Sequence, residues 1–252
     1  MSGPLPAVLA NIVEASRHRA ITPPPAVAVP RARSLRAAIA GRESLALLAE
    51  WKRRSPSAGP LVGVRDCAEQ VTAYAAAGAH ALSIVTEPTR FDGDLHDLSI
   101  ARRSTDLPVL RKDFLTRPEQ VIETAAHGAS AVLLIARCLS ESQTRELCAS
   151  AREAGLEVLL ECHDEREVGN ALAIEDVLIG VNNRDLDTLT IDRSRAPRLL
   201  ADVPVHRVTV AESGYRSLED LREIDGLADA VLIGTALMRG ENAANFARGV
   251  RR

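Results

Sequence analysis

Of the 31 basic side chains in this sequence, two are lysines, Lys52 and Lys112, and the other 29 are arginines. A guanidinium stays protonated in proteins, whereas an ammonium can release its proton when its pKa is lowered, or act as a compact charge. Where arginine serves nearly every fixed positive charge, the two lysines are candidates for chemistry. Both follow apolar, strand-like runs, LALLAEW before Lys52 and LPVLR before Lys112. Chance retention at a surface would explain the lysines singly, but their shared placement argues against it. Carboxylates end comparable runs: Glu50 beside Lys52, Glu161 after LEVLL, and Glu212 after RVTVA. Lysines and carboxylates at one rim must pair when buried, and they shift one another's pKa values, which separates acid from base roles near neutral pH.

The elements that must position them are legible from about residue 45 onward. Eight short apolar runs recur: 45–50, 81–85, 108–111, 131–135, 156–161, 177–182, 207–212 and 230–234. Amphipathic stretches such as CAEQVTAYAAAGA, RPEQVIETAAHGA and SESQTRELCASAREAGL separate them. Three of these stretches close at Gly78, Gly128 and Gly155, as helices do before turning into a strand. Near-continuous apolar strands suit a parallel sheet covered by helices. Eight βα units in roughly 200 residues predict an α/β fold of the closed (β/α)8 TIM-barrel type. No GxGxxG follows the first strand, which disfavours a dinucleotide-binding fold.

Residues 1–44 precede the barrel as an N-terminal helical extension, and 45–252 form the catalytic barrel. Segment 5–19 has helical periodicity, TPPPAVAVP interrupts it, and SLRAAIAG is a second helical piece. The apolar face of the extension predicts that it packs on the barrel, over one mouth.

In such barrels chemistry gathers at the C-terminal strand ends. Those ends carry Glu50 and Lys52, Lys112, Glu161, Asn182 and Arg184, and Glu212 and Ser213. Strand alternation puts Glu50 and Lys52 on one face and Trp51 on the other. The last two strands end in Ser213-Gly214 and Gly234-Thr235, the latter before a short helical piece. Glycines and free N–H groups at these two positions predict a phosphorylated small-molecule substrate. The loop at 53–60 adds the hydroxyls of Ser55 or Ser57.

The 46% hydrophobic content supplies a large core, and 2% aromatics leave Ala, Val, Leu and Ile to build it. A formal net charge of −3 argues against a nucleic-acid partner or an anionic-membrane binder. No apolar run approaches the ~20 residues that cross a bilayer, and the N-terminal stretch lacks the pattern of a signal peptide. Cys67, Cys138, Cys148 and Cys162 have neither CxxC nor zinc-ligand spacing. The expectation is a cytoplasmic protein with reduced thiols and no zinc-ligand pattern among its cysteines. No apolar surface stripe names an interface, so a monomer is expected.

AEWKRRSPSAG, LSIVTEPTRFDGDLHDL, PVLRKDF, AVLLI, LEVLLECHD, IGVNNRDLDTL, VAESG and LIGTALMR, in this order, resemble the indole-3-glycerol-phosphate synthase family over nearly the whole chain. The resemblance implies conversion of 1-(2-carboxyphenylamino)-1-deoxyribulose 5-phosphate to indole-3-glycerol phosphate in tryptophan biosynthesis, with loss of CO2 and water and without a cofactor. It implies that Lys112 is the general acid on the ribulose carbonyl. Lys52 is then a phosphate anchor or a second acid that expels water, and Glu161 stabilises the cationic intermediate and takes its proton. Glu50 and Glu212 hold the lysines and substrate hydroxyls. Asn182, Arg184 and Ser213 make polar contacts, Arg184 to the aromatic carboxylate. Gly214, Gly234 and Thr235 cradle the phosphate, and Phe91, Phe114, Leu133 and Leu186 form the slot for the aromatic ring. Trp51, Ala58, Cys162 and Tyr215 depart from the commonest family pattern without removing a catalytic group. Four other readings stay open at this level: a sugar-phosphate isomerase, a Schiff-base aldolase, a non-catalytic phosphate-binding homologue, and a paralogue serving an indole-derived secondary pathway.

Overall fold

A computed structural model describes residues 5–27, 29–30, 33–56, 59–61 and 65–248. Ser57 and Ala58, both singled out in the sequence, lie outside the described residues. Eight parallel strands close into a barrel in chain order. They are β1 (Ala46–Trp51), β2 (Ala81–Val85), β3 (Val109–Lys112), β4 (Ala131–Ile135), β5 (Glu157–Cys162), β6 (Val177–Asn182), β7 (Thr209–Glu212) and β8 (Ala230–Ile233). The last strand pairs with the first, Ala46 opposite Ala230 and Ala49 opposite Ile233. Each matches a run expected from the sequence, three at both ends and five with an end moved by one or two residues. Two of these shifts bear on the site: Lys112 is the last residue of β3, and Gly234 follows β8 as the cap of the helix Thr235–Met238.

The three amphipathic stretches fold as helices Cys67–Ala76, Pro118–Ala126 and Glu141–Glu153. Asp66 and Ser140 cap the first and last by accepting from the N–H groups of Glu69 and Gln143. Gly78, Gly128 and Gly155 follow these helices with φ of 92°, 84° and 72°, the left-handed conformation that ends a helix at low cost in glycine.

Alternation along each strand divides the apolar residues into two cores. Leu47, Ala49, Trp51, Val132, Leu134, Val158 and Leu160 belong to the layer between strands and helices. Ala46, Leu48, Leu110, Leu133, Leu159, Val210 and Leu232 fill the barrel interior. The indole of Trp51 is therefore outside the barrel, its Nε1 donating to Asp97 at 2.8 Å.

The extension touches both ends of the barrel. The helix Leu35–Ile39 closes the N-terminal end, where Ala46, Ala81, Ala131 and Ala230 start their strands and leave room for the fully buried Leu35 and Ile39. Burial of each such side chain is worth about 1.5–3 kcal/mol. Glu157, the first residue of β5, accepts from the backbone N–H groups of Leu35 and Arg36 and from the Ser34 hydroxyl. At the opposite end lies the helix Ala7–His18, fastened by Gln120 Nε2 donating to Ser16 O and by an Arg19–Asp113 ion pair of 2.7 Å.

Arg111 anchors that end from within the outer core. Its guanidinium, 1% exposed, pairs with Asp113 at 3.0 Å and Glu123 at 2.9 Å and donates to Thr124 and to Gln120 O. Asp113, Arg19 and Thr86 complete the network. Removing one partner of a buried ionic network leaves the others unpaired and costs about 3–5 kcal/mol. Arg111→Met is expected to lower the unfolding free energy by that amount, read as a lower urea midpoint at an unchanged m-value; a midpoint within error of the parent would contradict it.

Candidate active site

One cavity of about 860 Å3 opens at the C-terminal mouth of the barrel, lined also by Val8, Leu9 and Ile12 of the extension. Every described residue that the sequence nominated for the site is on its wall: Glu50, Lys52, Ser55, Phe91, Lys112, Phe114, Leu133, Glu161, Asn182, Arg184, Leu186, Glu212, Ser213, Gly214, Gly234 and Thr235. Eight different strands and their loops supply them, which is why no short stretch of sequence contains the site.

At the centre, Lys112 Nζ donates to Glu161 Oε2 at 2.9 Å and Glu212 Oε2 at 2.7 Å. Lys52 Nζ stands 2.7 Å from Glu50 Oε1. All three carboxylates are buried and stand against the two ammoniums. Burial opposes charge on Lys112, but Glu161, Glu212 and Glu50 outweigh it and hold the ammonium protonated, its pKa well above the usual lysine range. Burial likewise opposes charge on Glu161; Lys112 and His163 prevail and hold its pKa well below the usual range. Glu212 goes the other way. Burial, joined by repulsion from Glu161 and Glu50, outweighs the pull of Lys112 and raises its pKa to about 7. Its Oε1 is buried without a hydrogen-bond partner, an arrangement that disfavours the anion.

Two glycines make room for these groups. A Cβ on Gly180 in β6 would lie 2.5 Å from Glu212 Oε1, and one on Gly234 would overlap the Glu50 carboxylate and come within 2.9 Å of Lys52 Nζ. The Gly234 approach also puts the Lys52 ammonium beside the end of β8, where the turn Thr235–Met238 begins and its first hydrogen bond runs from Met238 N to Gly234 O. Beside it the loop after β7 turns through Ser213 (φ 66°) and Gly214 (φ 96°). Asn183 braces that loop: its Nδ2 donates to Ser213 O and to the Tyr215 hydroxyl, each at 3.0 Å, while its Oδ1 accepts from Ala196 N. Tyr215 is thus a buried prop of the loop.

The apolar part of the cavity is bounded by Phe91 and Phe114, whose rings lie 6.5 Å apart. Glu87 sets the position of Phe91, because its carboxylate caps the turn Pro88–Phe91 by accepting from the N–H groups of Thr89, Arg90 and Phe91. Asp113 does the same for Phe114 by accepting from its N–H at 2.8 Å. Arg184 donates to Leu189 O at 2.8 Å, and its backbone N–H bonds to Asn182 Oδ1.

Sequence reasoning used Lys112 from RKDF but missed that Arg111 and Asp113 fasten the same strand end from outside. It also missed Glu87, Asn183 and His163, and the further cations Arg90, Arg216 and Arg239 on the cavity wall. The NN of NNRDL and the H of ECHD were on view; their neighbours in space were not. Among the described residues no group of three or more His, Cys, Asp or Glu is arranged to hold a metal ion.

A family model described as indole-3-glycerol phosphate synthase matches residues 10–250. The chain belongs to the indole-3-glycerol-phosphate synthase family. Relatives from that family include indole-3-glycerol phosphate synthase 2 of Streptomyces coelicolor, 44% identical over 89% of this chain and 87% of its own. The indole-3-glycerol phosphate synthase of Deinococcus radiodurans is 45% identical over 82% of this chain and 78% of its own. Among solved structures, a tryptophan synthase from M. tuberculosis superposes with a TM-score of 0.64, covering 88% of this chain and all of that one; at 12% identity it shows the shared barrel alone.

The raised pKa of Glu212 gives this synthase-family chain a specific pH signature. The native state binds a proton on Glu212 up to about pH 7, whereas an unfolded glutamate releases it near 4.5. The group's contribution to stability is therefore complete below about pH 4.5 and is lost as pH rises through about 7. Glu161 has the opposite sign, contributing above the unfolded value and losing its contribution as pH falls. Comparing unfolding free energies of the parent and Glu212→Gln, the difference is expected to move against the parent between pH 4.5 and 7. A pH-independent difference would contradict the raised pKa.

Proposed function

We propose that this chain is an indole-3-glycerol-phosphate synthase, a carboxy-lyase of tryptophan biosynthesis. It would close the ring of 1-(2-carboxyphenylamino)-1-deoxyribulose 5-phosphate with loss of CO2 and water. The observation that carries the reading is the Lys112 ammonium fixed between two buried carboxylates, with a cationic cradle on one side and an apolar slot on the other.

The geometry suits the chemistry in sequence. The phosphate meets Gly214, Gly234, Thr235 and the Lys52 ammonium, where the start of a helical turn and positive charge favour an anion. The aromatic ring enters between Phe91 and Phe114 above Leu133 and Leu186, and its carboxylate turns towards Arg184. Lys112 donates a proton to the ribulose carbonyl oxygen, which makes the carbonyl carbon electrophilic. The ring carbon bearing the carboxylate forms the new C–C bond. CO2 then leaves, its electron pair restoring the benzene ring. The hydroxyl derived from the carbonyl departs as water with a proton from the lysine pair, and loss of a C–H proton completes the indole. Glu161 is ionised at the outset, so it stabilises the developing cation and accepts a proton. Glu50 and Glu212 hold the lysines in place, Asn182 and Ser213 contact the sugar, and Ser55 contributes from the β1 loop.

The order of charges supports this reading over the other three enzyme or binding readings. An isomerase has no use for a carboxylate-binding arginine beside an aromatic slot. A binding module gains nothing from an ammonium locked between two carboxylates. We further read residues 1–44 as an extension of the barrel, supported by its contacts at both ends. Cytoplasmic location is supported by four cysteines without a disulfide among the described residues. No helix among the described residues is long and apolar enough to cross a membrane. A monomer is the simplest assembly, which sedimentation would test.

The deciding experiment follows indole fluorescence when purified protein meets the carboxyphenylamino-deoxyribulose phosphate in the presence of EDTA. Lys112→Met is expected to lower kcat by at least about 10²–10⁴-fold while the unfolding transition stays cooperative, and Glu212→Gln is expected to cost less. Borohydride added during turnover should leave the protein mass unchanged, since no imine is required. Parent-like turnover in Lys112→Met would remove the assignment, and a trapped adduct would favour the Schiff-base aldolase.

A further inference from the structure

His163 lies two residues beyond Glu161, on the loop between β5 and the helix Glu165–Leu172, and is 8% exposed. Its ring is held between two carboxylates. Nε2 is 3.4 Å from Glu161 Oε1, and Nδ1 is 3.4 Å from Glu167 Oε2. Glu167 is itself fixed: its Oε2 accepts from His163 N at 2.7 Å, and its backbone N–H bonds to the Asp164 cap. Glu161 is thereby gripped from opposite sides, with Lys112 on Oε2 and His163 facing Oε1. His163 Nε2 is buried and makes no well-aligned hydrogen bond among the described residues; the polar atom it faces is Glu161 Oε1, in ion-pair contact at 3.4 Å.

We propose that His163 is a positioning residue for ring closure, an imidazolium strut between Glu167 and Glu161 that sets the orientation of the Glu161 carboxylate and keeps it ionised. The inference rests on the proposed synthase activity and deepens it. The geometry around Glu161 supplies the physical reason. Lys112 is shared between Glu161 Oε2 and Glu212 Oε2, so one ammonium alone does not fix the Glu161 carboxylate, whose Oε1 is turned to His163. A positive ring behind Glu161 holds that second oxygen from a direction the substrate does not occupy, since His163 and Glu167 are absent from the cavity wall while Glu161 is on it.

The facing groups agree with a charged ring. Burial alone would discharge it, but the bonds and charges of Glu161 and Glu167 prevail and raise its pKa to about 9. Cys138, from the turn after β4, feels the same two carboxylates, and burial together with their charge keeps its thiol protonated, so it adds no negative charge nearby. An ordinary core histidine would be neutral and bonded to backbone; this one has a carboxylate at each nitrogen.

A positioning role differs from a packing role in what it does to turnover. Glu161 acts on charge that develops after the substrate is bound, so misorienting it lowers kcat and leaves KM nearly alone. The test uses the full-length parent, His163→Leu, His163→Gln and Glu167→Gln in the indole-fluorescence assay, each checked by urea unfolding. His163→Leu is expected to lower kcat about 10–100-fold, the scale of a misplaced catalytic group, with KM within about threefold of the parent. His163→Gln, which keeps a donor without the charge, should recover part of the loss. Glu167→Gln, which loosens the strut from behind, should lower kcat less than His163→Leu. Parent-like kcat in His163→Leu would overturn the inference while leaving the synthase reading intact. Equal loss in the leucine and glutamine variants, in step with lost stability, would also overturn it by reducing His163 to packing. If His163→Leu fails to fold, the glutamine and Glu167 variants decide: parent-like kcat in both overturns the inference. An inactive parent would instead remove the synthase reading itself, and this role with it.

Discussion

One ammonium held between two buried carboxylates organises the mouth of this barrel. Lys112, whose side chain is partly exposed to the cavity, is held charged because Glu161 and Glu212 meet it within hydrogen-bond distance. The same contacts divide the carboxylates. Glu161, gripped from both sides, stays ionised, while Glu212, with one oxygen unpartnered against Gly180, holds its proton towards neutrality. Two chemically identical side chains acquire different protonation behaviour from their surroundings alone, as acid–base catalysis near neutral pH requires. Much of the remaining architecture keeps this cluster from relaxing.

That restraint comes from three directions. Glycines at positions 180 and 234 let the carboxylates approach the strands closely. Arg111 and Asp113, on the outward side of the strand that carries Lys112, tie its end to the helix Pro118–Ala126 and to Arg19 of the extension. The extension then spans the molecule, with Leu35 and Ile39 plugging the N-terminal end and the helix Ala7–His18 lining the rim of the cavity. Residues outside the cavity thus fix the strand end that carries Lys112 and the wall that carries Glu161.

The barrel was legible because its signal is local and repeated. Eight apolar runs of strand length recur with helical stretches between them, three of them clearly amphipathic, and the closing glycines at 78, 128 and 155 adopt the backbone their places required. The site was legible to the extent that strand ends face one mouth. Knowing where each run stops is enough to bring Glu50, Lys112, Glu161, Asn182 and Glu212 together, and alternation alone sends Trp51 outward. The illegible part was everything carried by pairing across the sequence. RKDF shows Lys112, but not that Arg111 must find Glu123 and Asp113 must find Arg19. ECHD shows a histidine, but not that a glutamate four residues later turns it towards Glu161.

The sequence by itself determined which groups point inward and at which level of the barrel, because a period of two along a strand and the end of an apolar run are properties of neighbouring residues. It determined the family as well, since order and spacing of motifs are linear. Only the tertiary structure decided the ionisation of each carboxylate, the brace of Asn183 on the Ser213 loop, and the two-sided grip on Glu161. Those depend on distances of about 3 Å between side chains many residues apart and on the exclusion of water around them, and both exist only once the chain has closed on itself.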